Sequence, residues 1–421
     1  MTKEVNLKTK EKDNFDNEEI KLFLIYTIIG IIALIARLFF ISFEGNDYIL
    51  FLQPWFDKIK ENGGILGIKS YDGDYEPLYV TILALLTYAP ISSLLSIKIV
   101  SIIGDYILAF SCAQLVGILA KDKKNVEKFK IITFAIILFL PNVVINASMW
   151  AQCDSIYTAF IILAFCKLFE KKYNKMFVFL GIAFAFKLQT ILILPLFVTL
   201  YFAKKDFHWY QFLIIPVMLV VCALPAICVW MPFSKIFTCF FTQVSEYSEY
   251  YVLNFPNIYN ILVLRNLPLE SKDIMKIGVV ITLFIDFLIF IFTLKNKERL
   301  NNENIILLSI VFLTIETFLL PKMHERYLFV GKILSVIYAI TYLKNFVPTI
   351  WLNFQAFIMY LIVLSYKFDK FYFQFNRRFK CKNSFLTIFS LIFAMVVLYY
   401  LIYYVCNLKK NKNLSKEWIK E

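Results

Sequence analysis

The sequence predicts an all-α, polytopic membrane protein, and three observations carry that expectation. Of 421 residues, 60% are hydrophobic and 18% charged, with 45 Phe against 11 Gly. Mean hydropathy is +0.68, more apolar than a water-facing surface tolerates. Apolar runs with few or no charges recur at 22–43, 97–120, 131–145, 176–202, 210–231, 277–294, 304–320, 346–364 and 385–405. Each approaches the ~20 residues an apolar helix needs to cross a ~30 Å hydrocarbon layer, where only helices and closed barrels satisfy the backbone. Roughly 11 to 13 spans are expected.

The first run is expected to persist as a span. It follows a polar tail of mixed charge, 1–21, exceeds the length of a signal-peptide core, and has no small-residue cleavage pattern after it. The eight cysteines are scattered, show no CxxC or Cys/His metal spacing, and read as buried thiols.

Lysine and arginine set the topology. They gather in the N-terminal tail, at 121–130 (KDKKNVEKFK), 171–175 (KKYNK), 204–205, 295–299 (KNKER) and 409–420. Short cytoplasmic loops carry the positive excess, so these joints share the inner side if 44–96 is one long external segment, with 78–95 a half-inserted or surface helix. The loop 367–382 (KFDKFYFQFNRRFKCK) then comes out external despite its charge. Net charge of +13 is ordinary positive-inside bias and attraction to anionic headgroups; there is no basic stripe for nucleic acid.

The external joints hold the unusual chemistry. In 44–77, Asp47 precedes Leu50, Phe51, Pro54, Trp55 and Ile59 at helical spacing, the pattern of an amphipathic helix lying in the membrane interface. Gly63-Gly64 ends it, and Asp74 introduces YEPLY, where Pro77 suits a helix first turn. Either acid could be a helix cap or a catalytic carboxylate. At the joint NASMWAQCDSIYTAF, Asp154 could cap the next span and Trp150 sit in an interfacial belt. Trp150, Gln152 and Asp154 equally form a sugar-binding set, carboxylate and amide for hydroxyls and a ring for the C–H face. In FAFKLQTILILP, Lys187 and Gln189 split a long run into two short helices; the lysine either snorkels or holds a phosphate. In PKMHERYLF, Glu325 and Arg326 could pair, and His324 is one of two histidines in the chain.

Together SMWAQCDSIYTAF, FAFKLQ, PKMHERYLF and NDY…PWF…GDYEPLY make the chain resemble the Gpi18-like (PIG-V-related) mannosyltransferases, a bacterial and archaeal branch of the GT-C glycosyltransferases. The resemblance covers about residues 20 to 345; Ala151 replaces the usual glycine after the tryptophan, and Val330 a proline often found after HERYLF. It implies a GT-C-type fold with surface helices in the first external loop. It also implies inverting transfer of a sugar, mannose or another hexose, from a polyprenyl-phosphate donor to a glycan or lipid acceptor outside the plasma membrane. An essential acid in the first external loop maps to Asp47, with Asp74 competing. A module at 22–345 would carry the reaction, and 346–421 would add spans and a basic tail.

Such a transfer needs a base within ~2.6–3.2 Å of the acceptor hydroxyl and charge stabilisation for the departing phosphate. A carboxylate fits the first task and Lys187, His324 and Arg326 the second, Arg for its fork. Tyr75, Trp150, Gln152, Asp154, Gln189 and Glu325 complete the candidate substrate contacts. No metal site is specified beyond a weak one from Asp47 with Asp154, and no cofactor is expected. A flippase or transporter would instead place ionisable groups deep in the membrane and often show repeats; Asp105 and Glu316 could serve, but no repeat is evident. A non-catalytic assembly subunit is a third class, disfavoured by the clustering of polar chemistry at one face.

Overall fold

A computed structural model describes residues 2–245, 251–262, 271–364 and 382–417, and over these the chain is helical. In order, α1 (Thr2–Leu38) leads through a π turn, Tyr48–Leu52, into α2 (Gln53–Glu61), then α3 (Pro77–Leu86) and α4 (Ser93–Leu119). Next come α5 (Val126–Phe139), α6 (Pro141–Val144) with its π extension Ile145–Met149, α7 (Asp154–Phe169) and α8 (Tyr173–Phe186). A 3₁₀ turn, Leu188–Ile193, opens α9 (Leu194–Lys204), and α10 (Ile214–Cys228), α11 (Lys235–Ser245) and α12 (Ile258–Ile261) follow. The chain closes with α13 (Ser271–Lys295), α14 (Asn302–Leu319), α15 (Phe329–Tyr342), α16 (Phe346–Leu364) and α17 (Lys382–Glu417).

Among the described residues, seven helical segments are long and apolar enough to cross a membrane, or eight when α5 and α6 count as one span bent by 51°. The bend falls at Pro141, which cannot donate to the helical ladder. The protein is thus an all-α, multi-pass membrane protein. Further apolar helices are shorter, α3, α8, α9 with its 3₁₀ turn, and α15. The expected 11 to 13 spans are reached only if short helices such as these cross as well. Two of them meet a polar joint: α8 stops before Lys187, and α15 starts just after Arg326.

The joints segregate to opposite ends of the bundle. At one end, Lys123 donates to the Thr341 carbonyl, Lys344 pairs with Glu303 at 2.8 Å, and Arg299 Nη1 donates to the Leu408 carbonyl at 2.7 Å. This is the end that the lysine-rich joints predict as a group. At the other end, Lys98 Nζ gathers the last carbonyls after α1, from Phe40, Ile41 and Phe43, at 2.8, 3.0 and 2.5 Å. Tyr48 meets Ser93 there at 2.8 Å, and Phe255 N donates to the Met323 carbonyl at 3.3 Å. The expectation for the loop 367–382 falls almost wholly outside the described residues.

The piece read as a half-inserted or surface helix over 78–95 is a 10-residue helix ending at Leu86 and about 15 Å long. It is buried in protein, with Tyr79, Val80, Leu83 and Ala84 fully covered, and Ser92 caps a separate α4 through a bond from Leu95 N at 3.3 Å. The C-terminal spans pack into the rest of the bundle, since Tyr400, Tyr404 and Leu408 belong to the same continuous core as α4, α7, α14 and α15. Inside that core, Arg37 Nε donates to Asp105 Oδ2 at 2.9 Å and Ser155 Oγ to Asp105 Oδ1 at 2.6 Å, all three side chains buried.

A polar cavity at the candidate functional site

At the end of the bundle opposite the basic joints lies a cavity of about 660 Å³. Among the residues on its wall are Asp47, Asp74, Tyr75, Trp150, Lys187, Gln189, His324, Glu325 and Arg326. Four joints far apart in sequence therefore meet at one place. Gln152 is their hub. Its Nε2 donates to Asp47 Oδ2 at 2.9 Å, while its Oε1 accepts from Tyr75 Oη at 3.2 Å and from Arg326 Nη1. The Arg326 guanidinium lies over the Trp150 ring at 5.0 Å, with Asp47 at 3.6 Å, Asp154 at 3.8 Å and Glu325 at 3.6 Å. Behind it, Asp154 accepts from Lys187 Nζ at 2.5 Å and from Asn146 Nδ2 at 2.6 Å.

The backbone is arranged to deliver these groups. Lys187 is extended, at φ −160°, which separates α8 from the following 3₁₀ turn as the sequence predicts. Ala151 sits at φ +60°, where a Cβ costs roughly 1–2 kcal/mol. That left-handed residue turns the chain so that Trp150 and Gln152 both reach Arg326, and it explains why a glycine suits the position.

Several bland readings fail on geometry. Neither Asp47 nor Asp154 makes a side-chain capping bond at the helix it opens, and the residue at the start of α3 is Glu76 rather than Asp74. Trp150 is buried, so it is no belt tryptophan; its face carries Arg326. Lys187 does not snorkel, being buried and paired with Asp154. At His324, burial and then the Arg326 charge depress the pKa to about 4, which favours the neutral imidazole. Gln189 Oε1 is buried without a hydrogen-bond partner among the described residues.

Other members of the site escape sequence reasoning. Glu76 is 1% exposed, and its Oε1 accepts from Leu188 N at 3.1 Å and Gln243 Nε2 at 3.1 Å. It thereby ties the first long segment to the Lys187 joint and to α11. Burial raises its pKa to about 8, which keeps it protonated at neutral pH. An acid directly before the proline that opens an apolar helix was the available signal. Gln243 also donates to the Asp74 carbonyl at 2.6 Å, and no local pattern announces it. Asp74 itself is shifted upward by burial, and its Oδ1 has no partner among the described residues.

The helix read as amphipathic buries Leu52, Phe56 and Ile59 along one face, leaves Leu50 outward, and brings Phe51, Leu52 and Trp55 to the cavity with Asp47. Among the described residues, no group of three or more His, Cys, Asp or Glu could hold a metal ion. No family model matches this chain, and no curated protein matches it significantly.

Proposed function

We propose that the protein is an inverting glycosyltransferase that moves a hexose, mannose by resemblance, from a polyprenyl-phosphate donor to an acceptor hydroxyl on the non-cytoplasmic side of a bacterial or archaeal plasma membrane. The observation carrying this reading is the shared contact of Asp47 and Arg326 with Gln152 on the cavity wall. A carboxylate and a guanidinium thus stand side by side at the end of the bundle opposite the basic joints. Asp47 serves as base: one oxygen is oriented by Gln152, and about a third of the side chain is exposed to an incoming hydroxyl. The hydroxyl oxygen attacks the anomeric carbon as Asp47 takes its proton. The bond from that carbon to the phosphate oxygen breaks, its electron pair leaving with the phosphate. A single displacement inverts the centre.

Arg326 and Lys187 receive the developing phosphate charge. The contacts of Arg326 with Asp47 and Asp154, 3.6 and 3.8 Å, are longer than hydrogen bonds, and its described bonds use only Nη1. Its Nη2 is left to donate to a phosphate oxygen. The apolar surfaces beside the cavity fit the lipid tail.

A transport reading draws on Asp286 in α13 and Glu316 in α14, buried in the membrane with an oxygen unpartnered among the described residues. Neither lines the cavity. The deciding experiment offers the purified protein several polyprenyl-phosphate sugars with candidate acceptors and reads products by mass. A product one hexose heavier is expected; donor translocation without any transfer would replace this reading with the transport one. In the same preparation, Arg326→Ala should weaken donor binding, and an unchanged affinity would remove its phosphate role.

A further inference from the structure

The cavity has a second region that the donor chemistry leaves unused. Trp55 projects from α2 into the cavity, half-buried, and its indole is held on three sides. Tyr71 meets it edge-on at 5.7 Å, Tyr75 lies at 5.3 Å and Phe51 at 5.8 Å. Gly73 closes the back. A Cβ at that position would stand 2.6 Å from Trp55 Cε2 and 2.3 Å from Tyr71 Oη, so only a glycine lets the backbone come this close. The ring is therefore locked before any ligand arrives, which spares a bound partner the entropy of ordering it.

The polar groups around it favour an uncharged, hydroxyl-rich ligand. Asp47, Asp72 and Asp74 share this part of the wall. The nearby lysines are engaged, Lys58 with Asp72 at 2.7 Å and Lys235 with the Gly73 carbonyl at 3.4 Å. An anionic group beside Trp55 would face three acids. A sugar would present C–H bonds to the ring and hydroxyl donors to the carboxylates of this wall. Tyr75 joins the two regions, since its ring packs on Trp55 while its hydroxyl donates to Gln152, the partner of Asp47 and Arg326.

We propose that Trp55 is a stacking platform for a neutral saccharide, placing the acceptor's terminal sugar beside Asp47. Its role as acceptor subsite rests on the transferase reading; the binding itself does not. The test uses full-length protein in nanodiscs and three soluble probes, a mannotriose, a galactotriose and an N-acetylglucosamine trimer, followed by saturation-transfer NMR and titration. At least one probe should bind, with the strongest transfer to ring C–H protons. Trp55→Ala should weaken that binding by about tenfold, Trp55→Phe should restore most of it, and affinity for polyprenyl phosphate should be unchanged in both. Absence of binding by all three probes, or equal binding by Trp55→Ala and the parent, would overturn the proposal. Trp55-dependent saccharide binding by a protein that neither binds nor turns over polyprenyl-phosphate sugars would uphold the platform and sink the transferase reading instead.

Discussion

Two arginines in this molecule face carboxylates, and they are used in opposite ways. Arg37 is completely buried between α1 and α4; its Nη2 and Nε lie 2.8 and 2.9 Å from Asp105, its Nη1 donates to the Ala33 carbonyl, and Ser155 satisfies the other oxygen of Asp105. Arg326 has more acidic neighbours but longer contacts, and it borders a cavity. A closed pair in low dielectric contributes order and has nothing left to offer a ligand. An under-satisfied guanidinium on a cavity wall retains donors for one. The same residue types therefore become scaffold or site according to whether they are sealed in the core or border a cavity.

The sharpest way to break this comparison is to orphan Asp105. Arg37→Met should cost about 3–5 kcal/mol by leaving an unpaired buried charge, seen as a large drop in thermal midpoint. Arg37→Met combined with Asp105→Leu should recover most of that loss. If the single variant were as stable as the parent, the pair would not be scaffold.

Asp47→Asn should act the other way, leaving the thermal midpoint near the parent value while turnover falls by about 10²–10⁴-fold. Near-normal turnover would shift the base to Asp74, which also lines the cavity and whose pKa burial raises.

Glu76 tests the seam between the two regions. Its folded pKa of about 8 lies above the ordinary value of 4.5, so the folded state holds a proton that the unfolded state has released in between. Its contribution is full below pH 4.5 and is lost as pH rises through 8, by up to about 1.4 kcal/mol for each pH unit. Glu76→Gln, which keeps a neutral acceptor for Leu188 N and Gln243, should flatten the loss of thermal stability between pH 6 and 8. His324 adds the reverse trend at lower pH. Its depressed value, about 4 against 6.5, makes stability fall as pH drops through that interval. An unchanged pH profile in Glu76→Gln would show that the carboxyl does not carry the alkaline limb.

The smallest expected effect is at Ala151. Replacing it by glycine relieves a left-handed Cβ but loosens the unfolded chain, so the net stabilisation should be under about 1 kcal/mol. A destabilisation of several kcal/mol would mean that the Ala151 methyl packs rather than strains.

How much of this was legible follows from the range of the interactions. Long apolar runs announce membrane helices because a bilayer demands about 20 residues of them, and the lysine-rich joints announced which ends lie together. The polar joints stood out because a chain with 18% charge rarely places four of them between apolar runs without use. Asp47, Gln152, Lys187 and Arg326 were each visible in that way. What could not be read was whether a given acid caps, pairs or waits. Trp55 looked like one more apolar position of an interface helix, and Gln243 like an ordinary polar residue of another.

Composition, apolar run length and charge placement by themselves determined the membrane class, the grouping of the basic joints and the identity of the candidate residues, because these depend only on transfer free energies summed along the chain. Tertiary structure decided that Gln152 links residues 47, 75 and 326, that burial lowers the His324 pKa and raises that of Glu76, and that Arg37 is sealed in the core where Arg326 borders a cavity. Those outcomes depend on which groups lie within a few ångströms and how far water is excluded, and neither is a property of any local stretch of sequence.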